Sequence, residues 1–291
     1  MSDISTVDAY WSACESFQEV CEAWDTHPDL GEMRELRQLL ALCFKRLLAV
    51  AEANDTNIWY AIGNAYHTGR GTERSLPDSI SWYRRAAQAG NCRAMVSLGL
   101  RLQHPDTPST HAEAIEWFRK AADLGDAGGM AFLGFAYREG TGVTTDLNEA
   151  VRWFIQAVEA GDGHSMIHIG RLYAHYLQLP TEAVKWFLRA AEAGHSESFI
   201  ELANLFSHRE SKVYNPSEAH KWFRVVAEYS EGTHSRALLS IAHQFAEGQG
   251  VPCDVEMAKT WLRRLLQVVP KTSLAHRNAA EFLQKLDGQF L

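Results

Sequence analysis

Nowhere in these 291 residues is there a run of five basic side chains, and no window approaches the 18 consecutive apolar residues of a membrane span. The first absence, with 36 acids against 28 bases and a net charge of −8, excludes a nucleic-acid partner, because phosphate binding needs clustered cations. The second leaves no reason to expect a membrane partner. Five cysteines occur, Cys14, Cys21, Cys43, Cys92 and Cys253; they form no CxxC pair, and their odd number suits free thiols in a reducing compartment. The opening stretch "MSDISTVDAYWSACESF" carries acids but no base, so it lacks the charged start of a signal peptide, and a cytoplasmic protein is expected. Gly-x-Ser-x-Gly, His-Glu-x-x-His and the dinucleotide fingerprint are all missing. An enzyme is not expected, nor is a cofactor.

What is present is a repeat. "ISWYRRAAQAG", "IEWFRKAADLG", "VRWFIQAVEAG" and "VKWFLRAAEAG" end at Gly90, Gly125, Gly161 and Gly194, and "HKWFRVVAEYS" and "KTWLRRLLQVV" continue the series. The tryptophans Trp82, Trp117, Trp153, Trp186, Trp222 and Trp261 are 35, 36, 33, 36 and 39 residues apart, one helical hairpin per unit. A nine-residue segment precedes each: "IWYAIGNAY" from Ile58, "AMVSLGLRL" from Ala94, "GMAFLGFAY" from Gly129, "SMIHIGRLY" from Ser165, "SFIELANLF" from Ser198 and "ALLSIAHQF" from Ala237. Large apolar residues at the second, fifth and ninth places follow helical spacing. Glycine or alanine at the sixth place lets the second helix of the hairpin approach closely. Pro or Gly interrupts all six connecting turns, so none continues as helix. The Gly-x-Gly of units one, three and six reads as a turn, since no strand precedes it and no Gly-Lys-Ser/Thr follows.

This pattern, small-Met-x-x-Leu-Gly-x-x-Tyr, then Gly-x-Gly-Val, then Ala-x-x-Trp-Phe and Ala-Ala-x-x-Gly, resembles the Sel-1-like repeat (SLR), a relative of the tetratricopeptide repeat. Unit three, Gly129 to Gly161, matches almost throughout. The resemblance implies an all-α fold, a right-handed α-α superhelix (solenoid) of about six hairpins. It covers residues 57–270, with 1–56 as a degenerate N-terminal hairpin and 271–291 as a C-terminal capping helix, all in one domain. The repeat tryptophans are expected in the core.

By similarity to tetratricopeptide repeats, the first helix of each unit lines a concave groove with its leading, third, seventh, tenth and eleventh places. The third place is apolar in all six units: Tyr60, Val96, Ala131, Ile167, Ile200 and Leu239. The seventh includes Asn64, Leu100, Phe135, Arg171 and Asn204; the leading place includes Arg93, His164 and Arg236; the eleventh includes His104, His175 and His208. An apolar floor with a polar rim suits an amphipathic helix or an extended peptide. Arg93, Arg171 and Arg236 would fork onto its carboxylates.

His164, His168, Arg171 and His175 sit at i, i+4, i+7 and i+11, one stripe of a helix. Zinc is not the expected reading: His175 lies about 10 Å of helix rise beyond His168, at 1.5 Å per residue, and no cysteine or carboxylate adjoins the pair. A wall that meets a protein partner is expected instead. The function implied is a cytosolic adaptor or regulator, or an immunity protein neutralising a toxin, as the bacterial examples that this chain resembles include. The partner would be a protein, such as a toxin or secretion-related protein, and the chain a monomer or small homo-oligomer. The contrasting expectation is a self-assembling scaffold joined through an exposed terminal patch, Phe290 and Leu291.

Overall fold

The computed structural model describes residues 34–53, 55–103 and 110–288. The stretch expected to form the first helix of the N-terminal hairpin, His104, and the patch at Phe290 and Leu291 lie outside them. Fourteen α-helices and no strand occur among the described residues. Their contacts fall into two compact units, 1–160 and 161–291.

In the first, α1 (Arg34–Val50) leads through a short 3-10 turn into α2 (Thr56–Thr68), α3 (Leu76–Gln88), α4 (Cys92–Leu102), α5 (His111–Asp123), α6 (Ala127–Glu139) and α7 (Leu147–Glu159). In the second come α8 (Ser165–Arg171), α9 (Pro180–Glu192), α10 (Glu197–Ser207), α11 (Pro216–Tyr229), α12 (Ser235–Glu247), α13 (Val255–Val268) and α14 (Leu274–Gly288). Within each unit every helix packs against the next in the chain. The expected hairpins are therefore present, one per repeat, and α14 closes against α13 and α12.

The helix ends are where the residue types put them. Asp55, Asn91, Asp126, Asp146, Asn215 and Asp254 occupy N-cap positions, and each accepts a backbone N–H of the first turn. The close approach assigned to the sixth place is visible in unit after unit. A Cβ on Gly63, Gly99, Gly134 or Gly170 would come within 2.4–2.8 Å of a ring carbon of Tyr83, Phe118, Phe154 or Phe187, the residue after each repeat tryptophan. Units five and six carry alanine there, Ala203 and Ala242, opposite Phe223 and the smaller Leu262.

The Gly-x-Gly turns have a packing role. A Cβ on Gly71, Gly142 or Gly250 would lie 2.2–2.6 Å from the carbonyl oxygen of Leu40, His111 or Pro216, on the second helix of the unit before. All three glycines have positive φ, near 75°.

The tryptophans depart from expectation. Of the six at repeat positions only Trp117 is buried; Trp82, Trp153, Trp186, Trp222 and Trp261 are half-exposed. The interior between helices is filled instead by the neighbouring Tyr83, Phe118, Phe154, Phe187 and Phe223. Adjacent residues of a helix do not share a face, so where the following ring points into the seam the tryptophan lies beside it, nearer the surface.

Candidate partner-binding cleft

Unit four breaks the regular pattern at both ends of its first helix. At the start, the chain makes a turn at Asp162–His164, where Asp162 accepts the His164 N–H and the Ser165 hydroxyl, and α8 begins only at Ser165. At the end, α8 widens into a π-helical turn, Leu172–Tyr176, closed by Leu177 N–H on the Leu172 carbonyl at 3.0 Å. Gln178 follows with a φ of 53°, a left-handed conformation rare for a residue with a side chain. Such widened turns and strained residues gather at functional sites.

The wide turn opens a cleft of about 530 Å³ against α10 and the loop after it. Ala174, Pro180, Phe187 and Leu205 supply its apolar lining, and His175, Gln178, Asn204, His208, Glu210 and Lys212 its polar rim. The loop that carries Lys212 is held by backbone bonds from Ser211 to His208, Tyr214 to Ser211 and Asn215 to Phe206. Tyr176, Leu179 and Tyr214, on the same two turns, are exposed. Glu201 lines the cleft with its charge matched, because Arg171 Nε donates to Glu201 Oε1 at 2.7 Å and Arg171 Nη2 reaches Glu197 Oε2 at 3.4 Å. Lys212 and Glu210 also line the cleft, and neither forms an ion pair among the described residues. No three histidines, cysteines or carboxylates converge as a metal would need among the described residues.

Of the residues read from the sequence, the cleft brings together His175, Asn204 and His208, with Arg171 bordering it through Glu201. Two readings need correction. Ile167 is no groove residue: it is 1% exposed, packed with Ala183, Phe187, Ala190 and Leu202. Ala131, at the same place of unit three, is buried as well, while Tyr60, Val96, Ile200 and Leu239 are half-buried there, so contacts with the neighbouring helix and not the place within the repeat set the exposure. Arg171 does not reach out to a partner's carboxylate, since α10 supplies its own. The four-residue stripe of His164 to His175 also breaks up. His164 precedes the helix and lies 4.6 Å, ring to ring, from His195, while His175 belongs to the π turn.

Elsewhere in 161–291, Ile200 and Leu239 are half-buried against the core and Arg236 is exposed. In 1–160, Arg93 is exposed, while Tyr60, Val96 and Leu100 are half-buried against the core. Tyr60 rests on the Tyr83 ring at 5.8 Å, and Asn64 accepts the Tyr83 hydroxyl. Burial of that hydroxyl pushes the Tyr83 pKa up to about 12. Phe135 meets Phe154 edge-on at 5.0 Å, with Arg138 above its face. These side chains are largely committed to packing. Sequence reasoning missed Gln178, Pro180, Glu210 and Lys212, which belong to turns. The signal for them was the loss of Gly-x-Gly in units four and five.

A Sel1 repeat family model matches six times, at residues 60–91, 93–126, 127–162, 165–195, 201–227 and 235–265. No curated protein matches the chain in sequence. Among solved structures, 51 chains match. A protective antigen of uropathogenic Escherichia coli displaying an SLR fold is similar with a TM-score of 0.64 and 23% identity, over 86% of this chain and 53% of its own. This chain thus spans about half that antigen's length. A Sel1 repeat protein from Oxalobacter formigenes is similar with a TM-score of 0.61 and 23% identity, over 87% of this chain and 100% of its own. An immunity protein from Pseudomonas aeruginosa reaches a TM-score of 0.39 at 18% identity, over 73% of this chain and 81% of its own. At such identities the likeness is one of fold. The six matched repeats span well over half of the residues, and the chain belongs to the Sel1 repeat family.

Proposed function

We propose that this protein is a protein-interaction module that grips a partner segment in the cleft between α8 and α10. The observation that carries the reading is the cleft itself: an apolar floor, an unmatched polar rim and exposed tyrosines, produced where one repeat abandons the regular turn. Buried aromatic and cationic anchors around a small apolar pocket are the usual source of affinity at protein interfaces. A cleft open to water, with no nucleophile paired to a base, favours binding over catalysis. Such binding serves an adaptor, and by itself it suffices for an immunity protein that neutralises a toxin.

The test is site-specific photo-crosslinking. A photoreactive residue at Asn204 is expected to trap one dominant protein, and the adduct to be lost when His208→Ala and Lys212→Glu are combined. A photoreactive residue at exposed Arg263 on α13 is expected to trap nothing specific. Adducts from Arg263 with none from Asn204 overturn the reading. Identification of the trapped protein separates an adaptor from toxin neutralisation.

A further inference from the structure

In four of the six units the residue three places after the repeat tryptophan is a cation lying over that indole. Arg85 is 5.4 Å from the centroid of Trp82, Lys120 is 4.1 Å from Trp117, Arg189 is 4.5 Å from Trp186 and Arg264 is 5.5 Å from Trp261. Residues three apart are neighbours on a helix surface, so each of these four units covers its indole with its own charge. Units three and five carry Gln156 and Val225 at this place.

Unit five differs from unit three in having a built aromatic surface. Phe199 stacks on Trp222 at 5.9 Å and 24°, and Tyr229 meets Phe199 edge-on at 5.7 Å and 78°. Tyr229 is 66% exposed. Unit one shows what such a surface holds when it is complete. Its second-place aromatic is Trp59, and the Arg85 guanidinium lies 4.1 Å from that ring while also facing Trp82. Unit five thus has the aromatic walls without the cation. Among the described residues none lies over Trp222, Phe199 or Tyr229. Arg224 is paired with Glu228 at 3.1 Å, and Arg264 faces Trp261 and donates to the Glu231 carbonyl. Neither arginine is therefore available to the three rings.

We propose that Trp222, Phe199 and Tyr229 form a docking site for a cationic side chain, arginine or lysine, of a protein partner. The partner's charge takes the place that Arg85 fills in unit one. The negative faces of the rings attract the cation. The inference does not rest on occupancy of the cleft.

The experiment uses the full chain labelled with 15N and tetra-arginine amide as probe, with tetra-citrulline amide as the uncharged control. The Trp222 indole resonance is assigned from its loss in Trp222→Phe. Tetra-arginine is expected to shift that resonance saturably, and tetra-citrulline to leave it in place. Val225→Arg installs the residue that units one, four and six already carry, and is expected to weaken binding roughly fivefold or more. Val225→Gln, the residue of unit three, should leave it unchanged. Tyr229→Ala should weaken it about two- to fivefold, since a cation over an exposed ring contributes about 0.5–1 kcal/mol. Lys212→Glu, in the cleft, is expected to leave the Trp222 shift intact, so failure of the cleft and failure of this site are distinguishable. Equal shifts with both probes overturn the proposal, as does parental affinity in a Val225→Arg protein whose circular dichroism is unchanged. If Val225→Arg loses its helical signal, unaltered affinity in Tyr229→Ala overturns it.

Discussion

Repeats three and four differ most where they should be alike. Unit three has a regular α6, an αL glycine cap at Gly140 and a Gly-x-Gly turn whose second glycine presses on the His111 carbonyl. Unit four replaces that turn with "AHYLQLPT", widens its helix at Leu172–Tyr176 and holds Gln178 at positive φ. The regular unit uses up its surface in packing: Phe135 lies against Phe154, and the turn is closed by its neighbour's backbone. The irregular unit leaves a cleft. Of these two repeats, the one that keeps the pattern spends its turn on packing, and the one that departs from it lines the proposed cleft.

The largest expected effect is on the packing side of this contrast. Phe154→Ala in unit three empties the space held against Gly134 and is expected to cost about 3–5 kcal/mol, measured by urea denaturation. Gly134→Ala would force a methyl to within 2.8–2.9 Å of that same ring and is expected to cost about 1–3 kcal/mol. On the other side, replacing residues 174–180 with the turn of unit three, residues 138–147, should keep the helical circular dichroism while abolishing crosslinking from Asn204. A protein that still crosslinks after this exchange would break the link between irregularity and function.

Acid sharpens the comparison further. Burial is the main cause holding His220 and His243 below the usual histidine range, and both lie in 161–291; Arg224 adds to it at His220 and Lys285 at His243. The folded form therefore prefers them neutral. Their contribution is full above pH 6.5 and is lost as pH falls through their lowered folded-state values. Glu113, in 1–160, is held below the usual carboxylate range mainly by its bond from Arg84. Its contribution is present above pH 4.5 and fades only under stronger acid. His67, lowered chiefly by burial and then by Arg101, adds an early loss in 1–160 as well. The urea midpoint should fall between pH 7 and pH 5 and recover in part when His220 is replaced by Gln, which keeps a neutral partner for Gln244. The smallest effect is expected from Arg171→Ala. Its pairs to Glu201 and Glu197 are partly exposed and are worth less than about 1 kcal/mol, yet the change exposes the Glu201 charge to the cleft.

Much of the architecture could be read from spacing. The hairpins, the capping residues and the small sixth place all follow from period and side-chain size. The site was legible only in fragments. Asn204, His175 and His208 were reached by counting places along a helix. The same count failed at Ile167 and Ala131, which are buried because the neighbouring helices cover the third place in those two units. Hydrophobicity misled for the tryptophans in the opposite sense: it placed them inside, but the next residue's ring takes the seam and most indoles stay half out.

The sequence by itself determined the number of repeat hairpins, the breaks between their helices, and the small sixth place that lets the helices approach, because these depend on local backbone preference and volume. Tertiary structure decided which side chains stay free. Residues 174–180 and 201–212 meet only when two successive hairpins pack, and Arg171 is spent on Glu201 only because α10 brings that carboxylate to it. Exposure belongs to a pair of neighbouring elements and not to a place within one repeat, so it emerges only with the packing.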